Sequence, residues 1–258
     1  KGNSMARQVS IVNRMVGKRC LVTGGGSGIG LAIVKAFLSE GASVAACDKN
    51  SDVQQDVETL GASFTQCDVA KAEEVQQWVD SAARSLGGVD VVVANAGYEL
   101  VADALELSLD QWDHHQDVML RGVFVTFKYS LPHMLEEGGS LIAIGSNLAF
   151  AGIPRFTSYL AAKSGVVGLV RGLAIDFADR NIRVNALCPG VTLTPLIERQ
   201  LVGIDDPDAL LQVWANDTIM KRLGRPDEIA PGAVFLASDE SSYVTGSSLM
   251  IDGGYTAL

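Results

Sequence analysis

The sequence predicts an α/β protein built on a parallel β-sheet that is covered by helices on both faces. Short, almost continuously apolar segments recur along the 258 residues, and each is followed by a stretch with helical periodicity. The composition, 48% hydrophobic and 19% charged, is typical of a globular protein with a large buried core. No repeat, low-complexity segment or linker interrupts the alternation, so we predict a single domain over residues 17–258.

The predicted strands are the apolar segments, because strands buried on both faces of a parallel sheet read as near-continuous hydrophobic runs. They are residues 19–23, 43–48, 63–68, 89–94, 140–145, 183–188 and 248–251. The predicted helices lie between them, at residues 28–39, 51–60, 71–86, 108–135, 157–179 and 226–238.

Two segments stand outside this alternation. Residues 1–16 have weak periodicity and are predicted to be an N-terminal tail, of which residues 1–4, ahead of Met5, are expected to be expression-derived. Residues 190–225 are rich in proline and glycine. Because long insertions at the carboxyl edge of a parallel sheet are usually functional, we predict that residues 190–225 form a substrate lid.

Charge and composition exclude several function classes. The net charge of −10 and the lack of a basic run argue against nucleic acid or an anionic membrane as a partner. No apolar run is long enough for a membrane span or a signal peptide, so a cytoplasmic location is expected. Neither the cysteines nor the histidines have metal-ligand spacing, so we expect no metal and buried, reduced thiols. The cysteines are Cys20, Cys47, Cys67 and Cys188.

A glycine-rich turn follows the first predicted strand and opens the first predicted helix. Glycines let the backbone turn tightly and approach a pyrophosphate, and the helix N-terminus offers free N–H groups to it. Strand, turn and helix in this order predict a dinucleotide site. The residues expected to bind the cofactor here are Gly24, Ser27, Gly28, Ile29 and Gly30.

Asp48 closes the second predicted strand, close to the ~20 residues beyond the turn at which a ribose-binding acid is expected. Its carboxylate would accept hydrogen bonds from the ribose hydroxyls and repel a 2′-phosphate. Ser27 adds no positive charge to the turn, and Lys49 is the one neighbouring feature that favours a phosphate. These residues predict NAD rather than NADP.

Tyr159 and Lys163 are four residues apart on a predicted helix, which places both on one helical face. A nearby ammonium favours the phenolate, so Lys163 is expected to lower the pKa of Tyr159. Such a phenol can exchange a proton with an alcohol or ketone, and Ser146 would donate a hydrogen bond to the same oxygen. The predicted catalytic residues are therefore Ser146, Tyr159 and Lys163.

With these motifs in order, and with Asn95-Ala96-Gly97, Pro189-Gly190 and Asp252-Gly253-Gly254, the chain resembles the short-chain dehydrogenase/reductase family. The resemblance runs from about Gly17 to Tyr255. It implies a single-domain Rossmann fold with a doubly wound, seven-stranded parallel sheet, assembled as a homotetramer or homodimer.

The resemblance also implies roles for individual residues. Asp68, between Cys67 and Val69, would contact the adenine amino group, and Asn95, Ala96 and Gly97 would close over the adenosine. Val191 would hold the nicotinamide carboxamide, with Thr194 nearby, and Lys163 would also bridge the nicotinamide ribose. By family position, the residues expected near the substrate suggest an apolar pocket for a cyclic, aromatic or steroid-like alcohol. They are Tyr98, Leu148, Phe150, Arg155, Leu193, Leu196 and Trp214.

One residue departs from the family pattern. Met119 lies in segment 112–124 where the family has the Asn that holds a proton-relay water beside the active-site Lys. A thioether is a weak acceptor and donates nothing, so it cannot replace the amide. Three explanations are open: the relay runs through other waters or a backbone carbonyl, the enzyme is slow or specialised, or turnover is lost and cofactor binding kept.

The leading hypothesis is an NAD(H)-dependent oxidoreductase that interconverts a secondary alcohol and a ketone, with Tyr159 as general acid and base. One alternative is a non-catalytic NAD(H)-binding regulatory or scaffold protein, which only Met119 supports. The other is a 3-oxoacyl carrier-protein reductase. An acidic carrier needs a basic docking surface and NADPH is the common reductant there, so the charge of −10 and Asp48 disfavour it.

Overall fold

A seven-stranded parallel sheet forms the centre of the computed structural model, which describes residues 13–258. The strands occur in the order β3-β2-β1-β4-β5-β6-β7, as the doubly wound arrangement requires. All seven predicted strands are found, with ends that differ from the prediction by at most two residues. They are β1 (Arg19–Thr23), β2 (Ser43–Asp48), β3 (Ser63–Gln66), β4 (Val91–Ala94), β5 (Gly139–Ile144), β6 (Ile182–Pro189) and β7 (Ser248–Ile251).

Helices connect the strands and cover both faces of the sheet. Among residues 13–258, no helix has the length and apolar character that crossing a membrane requires. The α-helices are α1 (Gly28–Ser39), α2 (Gln54–Thr59), α3 (Ala72–Leu86), α4 (Leu109–Gln116), α5 (Gly122–Ser130), α6 (Thr157–Asp176), α7 (Pro195–Gln200), α8 (Pro207–Asn216) and α9 (Pro226–Ala237).

Two hydrophobic layers hold these helices on the sheet. On one face, α1 and α9 pack against the apolar side chains of the central strands, with Phe37 fully buried. On the other face, α3, α5 and α6 form the second layer, which includes Trp78 and Phe127. Strands β1, β4 and β5 contribute to both layers, which explains why their sequences are apolar at nearly every position.

The described part of the N-terminal tail belongs to the packed domain. Met15 is fully buried, and its N–H donates to the Glu40 carbonyl at 3.0 Å. The packed structure therefore begins before residue 17, because one apolar side chain in a weakly periodic segment fills a gap in the core. The expectation for residues 1–4 lies outside the described residues.

The predicted helix over residues 108–135 is divided in the structure. A π-helical turn, Asp117–Arg121, separates α4 from α5, and a 3₁₀ turn, Leu131–His133, follows. Periodicity does not reveal such a turn, since α4 and α5 on either side of it are only 8 and 9 residues long. π-turns occur frequently at functional sites, and this one contains Met119.

The predicted lid contains two helices that composition alone did not indicate. Pro195 and Pro207 begin α7 and α8, where proline is well suited because the first helical N–H has no partner in the helix. Thr194 and Asp206 cap these helices through their side-chain oxygens.

The chain order creates a crevice at one place in the sheet. From β1 the chain moves outward to β2 and β3, and it then returns to place β4 on the other side of β1. The connections after β1 and β4 therefore diverge at the carboxyl edge. Ligands of open α/β sheets bind at such a switch point.

Candidate active site

A groove of about 490 Å³ opens at this switch point. Its walls come from the loops after β1, β2, β4, β5 and β6, and from the start of the predicted lid. All but one of the predicted cofactor residues line it, Gly30 being buried beneath the turn. The three predicted catalytic residues lie in the same groove.

The glycine turn is packed too closely for side chains. A Cβ on Gly30 would lie 2.0 Å from the Gly24 carbonyl oxygen, and a Cβ on Gly24, whose φ is +62°, would lie 2.8 Å from the Ala96 backbone. Asn95 fixes this approach, because its amide donates to the carbonyls of Thr23 and Gly24 at 3.0 Å each. The Thr23 hydroxyl in turn accepts from the backbone N–H groups of Asn95 and Ala96. The turn and the end of β4 therefore form one rigid unit.

Asp48 is oriented by backbone donors at the rim of the groove. Its carboxylate accepts from the Gly26 N–H at 3.1 Å and from the Asn50 N–H at 3.0 Å. Lys49 points to the opposite wall, where its ammonium pairs with Asp68 at 2.9 Å. Lys49, the one residue beside Asp48 that was expected to favour a 2′-phosphate, is thus paired with the Asp68 carboxylate.

Ser146, Tyr159 and Lys163 converge at the centre of the groove. Tyr159 and Lys163 lie one turn apart on α6, with the Lys163 Nζ 5.7 Å from the centre of the phenol ring. The Lys163 ammonium donates to the Ile144 carbonyl at 2.7 Å. The Ser146 hydroxyl donates to Asn147 Oδ1 at 3.2 Å and accepts from the Leu148 N–H at 3.1 Å, so it caps the short turn after β5 in the groove that Tyr159 also lines.

The prediction that Lys163 lowers the pKa of Tyr159 is wrong for the structure as described. Burial raises the pKa of Tyr159 above its ordinary value; the hydrogen bond with Ser146 opposes this shift, and the Glu99 carboxylate adds to it. Burial also lowers the pKa of Lys163 to about 8. Both shifts have the same cause, since removal from water penalises phenolate and ammonium alike.

Met119 lies directly behind this centre. Its side chain is buried, and its Sδ accepts the Tyr98 N–H at 3.2 Å. The same sulfur fills the space beside Gly97, where a Cβ would lie 2.8 Å from it. Met119 therefore supports the loop after β4 by packing and by one weak hydrogen bond.

His115 forms a buried polar contact that sequence reasoning missed. Its Nδ1 lies 2.8 Å from the Ser158 hydroxyl and its Nε2 lies 3.3 Å from the Tyr98 carbonyl. Gln116 donates to Ser158 as well, at 2.9 Å. Because Ser158 precedes Tyr159, this network attaches the start of α6 to α4 and to the loop after β4. Its sequence signal was a histidine at a helical position that faces the core.

Only part of the predicted substrate set lies in the groove, namely Tyr98, Leu148 and Leu196. The other four residues of the set do not line the groove. Arg155 forms ion pairs with Glu106 and Asp103 on the surface. Outside the groove lining lie Phe150 and Leu193, which are 46% and 41% exposed, and Trp214, which lies on α8. Sequence reasoning missed Glu99, His114 and Arg199, which do line the groove.

Comparisons with known proteins agree with this geometry. A family model described as enoyl-(acyl carrier protein) reductase matches residues 24–256. The chain belongs to the short-chain dehydrogenase/reductase family. Its order of motifs, its sheet and its groove are those of this family of oxidoreductases.

Curated relatives cover nearly the whole chain. A 2,5-dichloro-2,5-cyclohexadiene-1,4-diol dehydrogenase of Sphingobium indicum is 38% identical over 249 residues, 94% of this chain and 98% of that protein. A D-threitol dehydrogenase of Mycolicibacterium smegmatis is 39% identical over 253 residues, 94% of each chain. A 3-oxoacyl-[acyl-carrier-protein] reductase of Thermotoga maritima is 36% identical over 248 residues, 93% of this chain and 98% of that protein.

Solved structures share the fold. Ligand-free aldohexose dehydrogenase of Thermoplasma acidophilum superposes with a TM-score of 0.90 at 30% identity, covering 96% of this chain and 97% of its own. A short-chain dehydrogenase/reductase of Mycobacterium marinum gives a TM-score of 0.88 at 32% identity, covering 96% of this chain and 100% of its own.

Replacing the buried Lys163 by methionine is expected to stabilise the protein in a pH-dependent way. Below about pH 8, Lys163 is protonated in the folded and the unfolded chain, so the cost of burial is fully present. Between pH 8 and its ordinary pKa of 10.5, only the unfolded chain keeps the proton, so the stability of the parent rises with pH. The advantage of Lys163→Met should therefore shrink by about 3 kcal/mol as the pH rises from 7 to about 10.5.

Urea unfolding of parent and variant across this range measures the difference. Lys35→Met, which removes an exposed lysine on α1, is the matched control and should show no such trend. A pH-independent difference for Lys163→Met would contradict the shifted pKa.

We expect Met119→Asn to leave kcat within about threefold of the parent, because Lys163 is already held by the Ile144 carbonyl and the predicted catalytic residues Ser146 and Tyr159 are unchanged. Stopped-flow turnover with NADH, together with NADH affinity from fluorescence, measures the effect. Met119→Leu keeps the apolar volume beside Gly97 and serves as the control. A rise approaching the roughly 100-fold that a positioned proton-transfer group contributes would show that methionine impairs the relay.

Proposed function

We propose that the protein is an NAD(H)-dependent oxidoreductase that interconverts a secondary alcohol and a ketone, with Tyr159 as the general acid and base. The observation that carries this proposal is the convergence of Ser146, Tyr159 and Lys163 in the groove that also contains the glycine turn and Asp48. A proton-exchanging group, a phosphate-binding turn and a ribose-binding carboxylate in one groove are what hydride transfer between an alcohol and a dinucleotide requires.

Each of the three central side chains has a defined task in this proposal. Nicotinamide, when bound, supplies the hydride chemistry. The Ser146 hydroxyl orients the substrate oxygen, and the Tyr159 hydroxyl gives it a proton in reduction or takes its proton in oxidation. The phenol carries its proton at neutral pH, so it can give that proton to the substrate oxygen in reduction. Lys163 lines the groove beside Tyr159, where its ammonium would hydrogen-bond to the nicotinamide ribose.

The residues present also fit the rest of a dinucleotide. The glycine turn leaves N–H groups at the start of α1 for a pyrophosphate, and Asp68 and Val69 line the groove on the adenine side. Val191 and Thr194 follow β6 at the far end, where the nicotinamide would lie. The Gly190 backbone is fixed there by Asp252, whose Cα would be only 2.8 Å from a Cβ on Gly190.

NAD is proposed over NADP because of charge. Asp48 presents a carboxylate where the ribose hydroxyls would bind, and Lys49 is engaged by Asp68. A 2′-phosphate would therefore meet the negative charge of Asp48, while the neighbouring Lys49 is paired with Asp68.

An acyl carrier-protein reductase is the second candidate. The description of the matching family model and the relative from Thermotoga maritima favour it. The net charge of −10 opposes the docking of an acidic carrier protein, and Asp48 opposes NADPH. A non-catalytic role has less support, since the groups that contact the reacting oxygen are all present.

We also propose a homo-oligomer, a tetramer or a dimer, with residues 190–225 as the lid. Apolar side chains remain exposed on the helices of one layer, Phe124 on α5 at 42% and Ile175 on α6 at 79%. Such residues fit a subunit interface between helices. Small-molecule alcohols and ketones are the proposed partners, with no role for nucleic acid, membrane or metal.

Tyr159→Phe tests the proposed chemistry. It removes the proton-exchanging oxygen and keeps the ring, so turnover should fall by at least about 100-fold, while NADH affinity stays within about twofold. NADH absorbance with a panel of secondary alcohols and ketones measures turnover, and fluorescence titration measures binding. Retained turnover would remove Tyr159 from the role of acid and base.

Cofactor choice is tested with NADH and NADPH in parallel. The parent should favour NADH in kcat/KM, and Asp48→Ser should lower that preference by about 10- to 100-fold, as expected for losing hydrogen bonds to a charged acceptor. Asp52→Ser removes an exposed carboxylate of the same loop that does not line the groove, and it should leave the preference unchanged. Equal use of both cofactors by the parent would contradict the assignment of NAD.

A further inference from the structure

Glu99 places a carboxylate in the substrate end of the groove, where sequence reasoning expected an apolar pocket. It follows the Asn95-Ala96-Gly97 turn and lines the groove with Tyr98 and Leu196. It is partly buried, and burial raises the pKa of Glu99 above its ordinary value. Removing a carboxylate from water costs free energy unless the carboxylate accepts hydrogen bonds in the protein. Hydrogen-bond donors are therefore expected next to Glu99.

The protein itself supplies only part of those donors. Within residues 13–258, the Gln200 side-chain amide on α7 donates to Glu99 Oε2, and no basic side chain forms an ion pair with this carboxylate. A carboxylate offers two oxygens and about four acceptor positions. Its other oxygen therefore retains the capacity to accept from a molecule in the groove.

Electrostatic interactions connect Glu99 to the reacting centre. Its charge acts on the phenol of Tyr159, and the ammonium of Lys163 acts on it. The carboxylate lines the same groove as Ser146, Tyr159 and Lys163, and its contact with Gln200 places it beside α7 of the lid. A substrate group at the carbon next to the reacting hydroxyl would meet Glu99.

We propose that Glu99 is a specificity-determining residue that accepts a hydrogen bond from a second hydroxyl of the substrate, so that the enzyme acts on vicinal diols and polyols. The inference rests on the proposed function and identifies the substrate class of the same site. The names of two relatives, a cyclohexadiene-diol dehydrogenase and a D-threitol dehydrogenase, agree with this class.

The same carboxylate disfavours the other substrate classes. An acyl chain or a steroid would bury Glu99 against hydrocarbon with its free oxygen unpaired. A substrate carboxylate or sulfonate would be repelled by it. A neutral hydroxyl donor avoids both costs.

Matched pairs of substrates test the proposal. cis-1,2-Cyclohexanediol with cyclohexanol, and 2-hydroxycyclohexanone with cyclohexanone, differ only in the second hydroxyl. The parent should turn over the hydroxylated member of each pair with the higher kcat/KM. Glu99→Leu should lower the ratio of hydroxylated to plain substrate by about 10- to 100-fold, as for the loss of a hydrogen bond to a charged group. Glu99→Gln, which keeps the shape and loses the charge, should lower it less.

The control is Glu198→Gln, which removes an exposed carboxylate of α7 that does not line the groove and should leave the ratio unchanged. NADH titration identifies folded variants, and the isosteric Glu99→Gln keeps the test valid if Glu99→Leu does not fold. Gln200→Ala distinguishes substrate recognition from closure of the lid. If the Glu99–Gln200 contact only held the lid, Glu99→Leu and Gln200→Ala would each lower kcat/KM equally for the hydroxylated and the plain member of a pair. That result would overturn the proposal.

A parent that uses the plain and hydroxylated members equally well would also overturn the proposal, while leaving the proposed oxidoreductase intact. Absence of turnover with every pair, despite NADH binding, would count instead against the proposed function. In that event calorimetry of cis-1,2-cyclohexanediol with the NADH-loaded parent and Glu99→Leu decides the role of Glu99. Equal affinity of the two proteins for the diol would overturn it.

Discussion

The amide of Asn95 holds together the two parts of the molecule between which the groove opens. It comes from the end of β4 and donates to two carbonyls at the end of β1, Thr23 and Gly24. Without this link the loops after the two strands would diverge freely, since the chain reverses direction across the sheet here. With it, the glycine turn lies against the Ala96 backbone with no space for a side chain. This contact therefore holds the loops after β1 and β4, which line the groove, in fixed positions relative to each other.

Removal from water is the second constraint, and it determines the charge state of the reacting centre. The Lys163 ammonium is buried and Tyr159 is partly buried, because α6 packs against the core. Burial shifts the pKa of each group toward its neutral form, and the hydrogen bond to the Ile144 carbonyl orients Lys163. A buried ammonium costs stability that a surface lysine would not, which is a common property of functional sites.

The substrate end of the groove combines a rigid wall with a wall from the predicted lid. Met119 and His115 support the loop after β4 from below, one by packing and one by paired polar contacts with Ser158 and the Tyr98 carbonyl. Opposite this loop, α7 contributes Leu196 and Gln200. Glu99 is the place where the two walls meet. The contact between them is polar, since the Gln200 side-chain amide donates to the Glu99 carboxylate.

The sequence by itself determined the strands, the parallel sheet and the central motifs, because apolar runs, glycine spacing and the Tyr159–Lys163 interval are local patterns. It also identified Asp48 and the groove residues that follow each strand, since all parallel strands end at the same edge. Tertiary structure alone decided which side chains of the lid and loops line the groove. Arg155 pairs with Glu106 on the surface, Trp214 lies outside the groove lining, and Glu99 is part of that lining. Tertiary structure also decided that burial raises the pKa of Tyr159. Both outcomes depend on which surfaces exclude water once distant segments meet, and no local pattern in the chain encodes that.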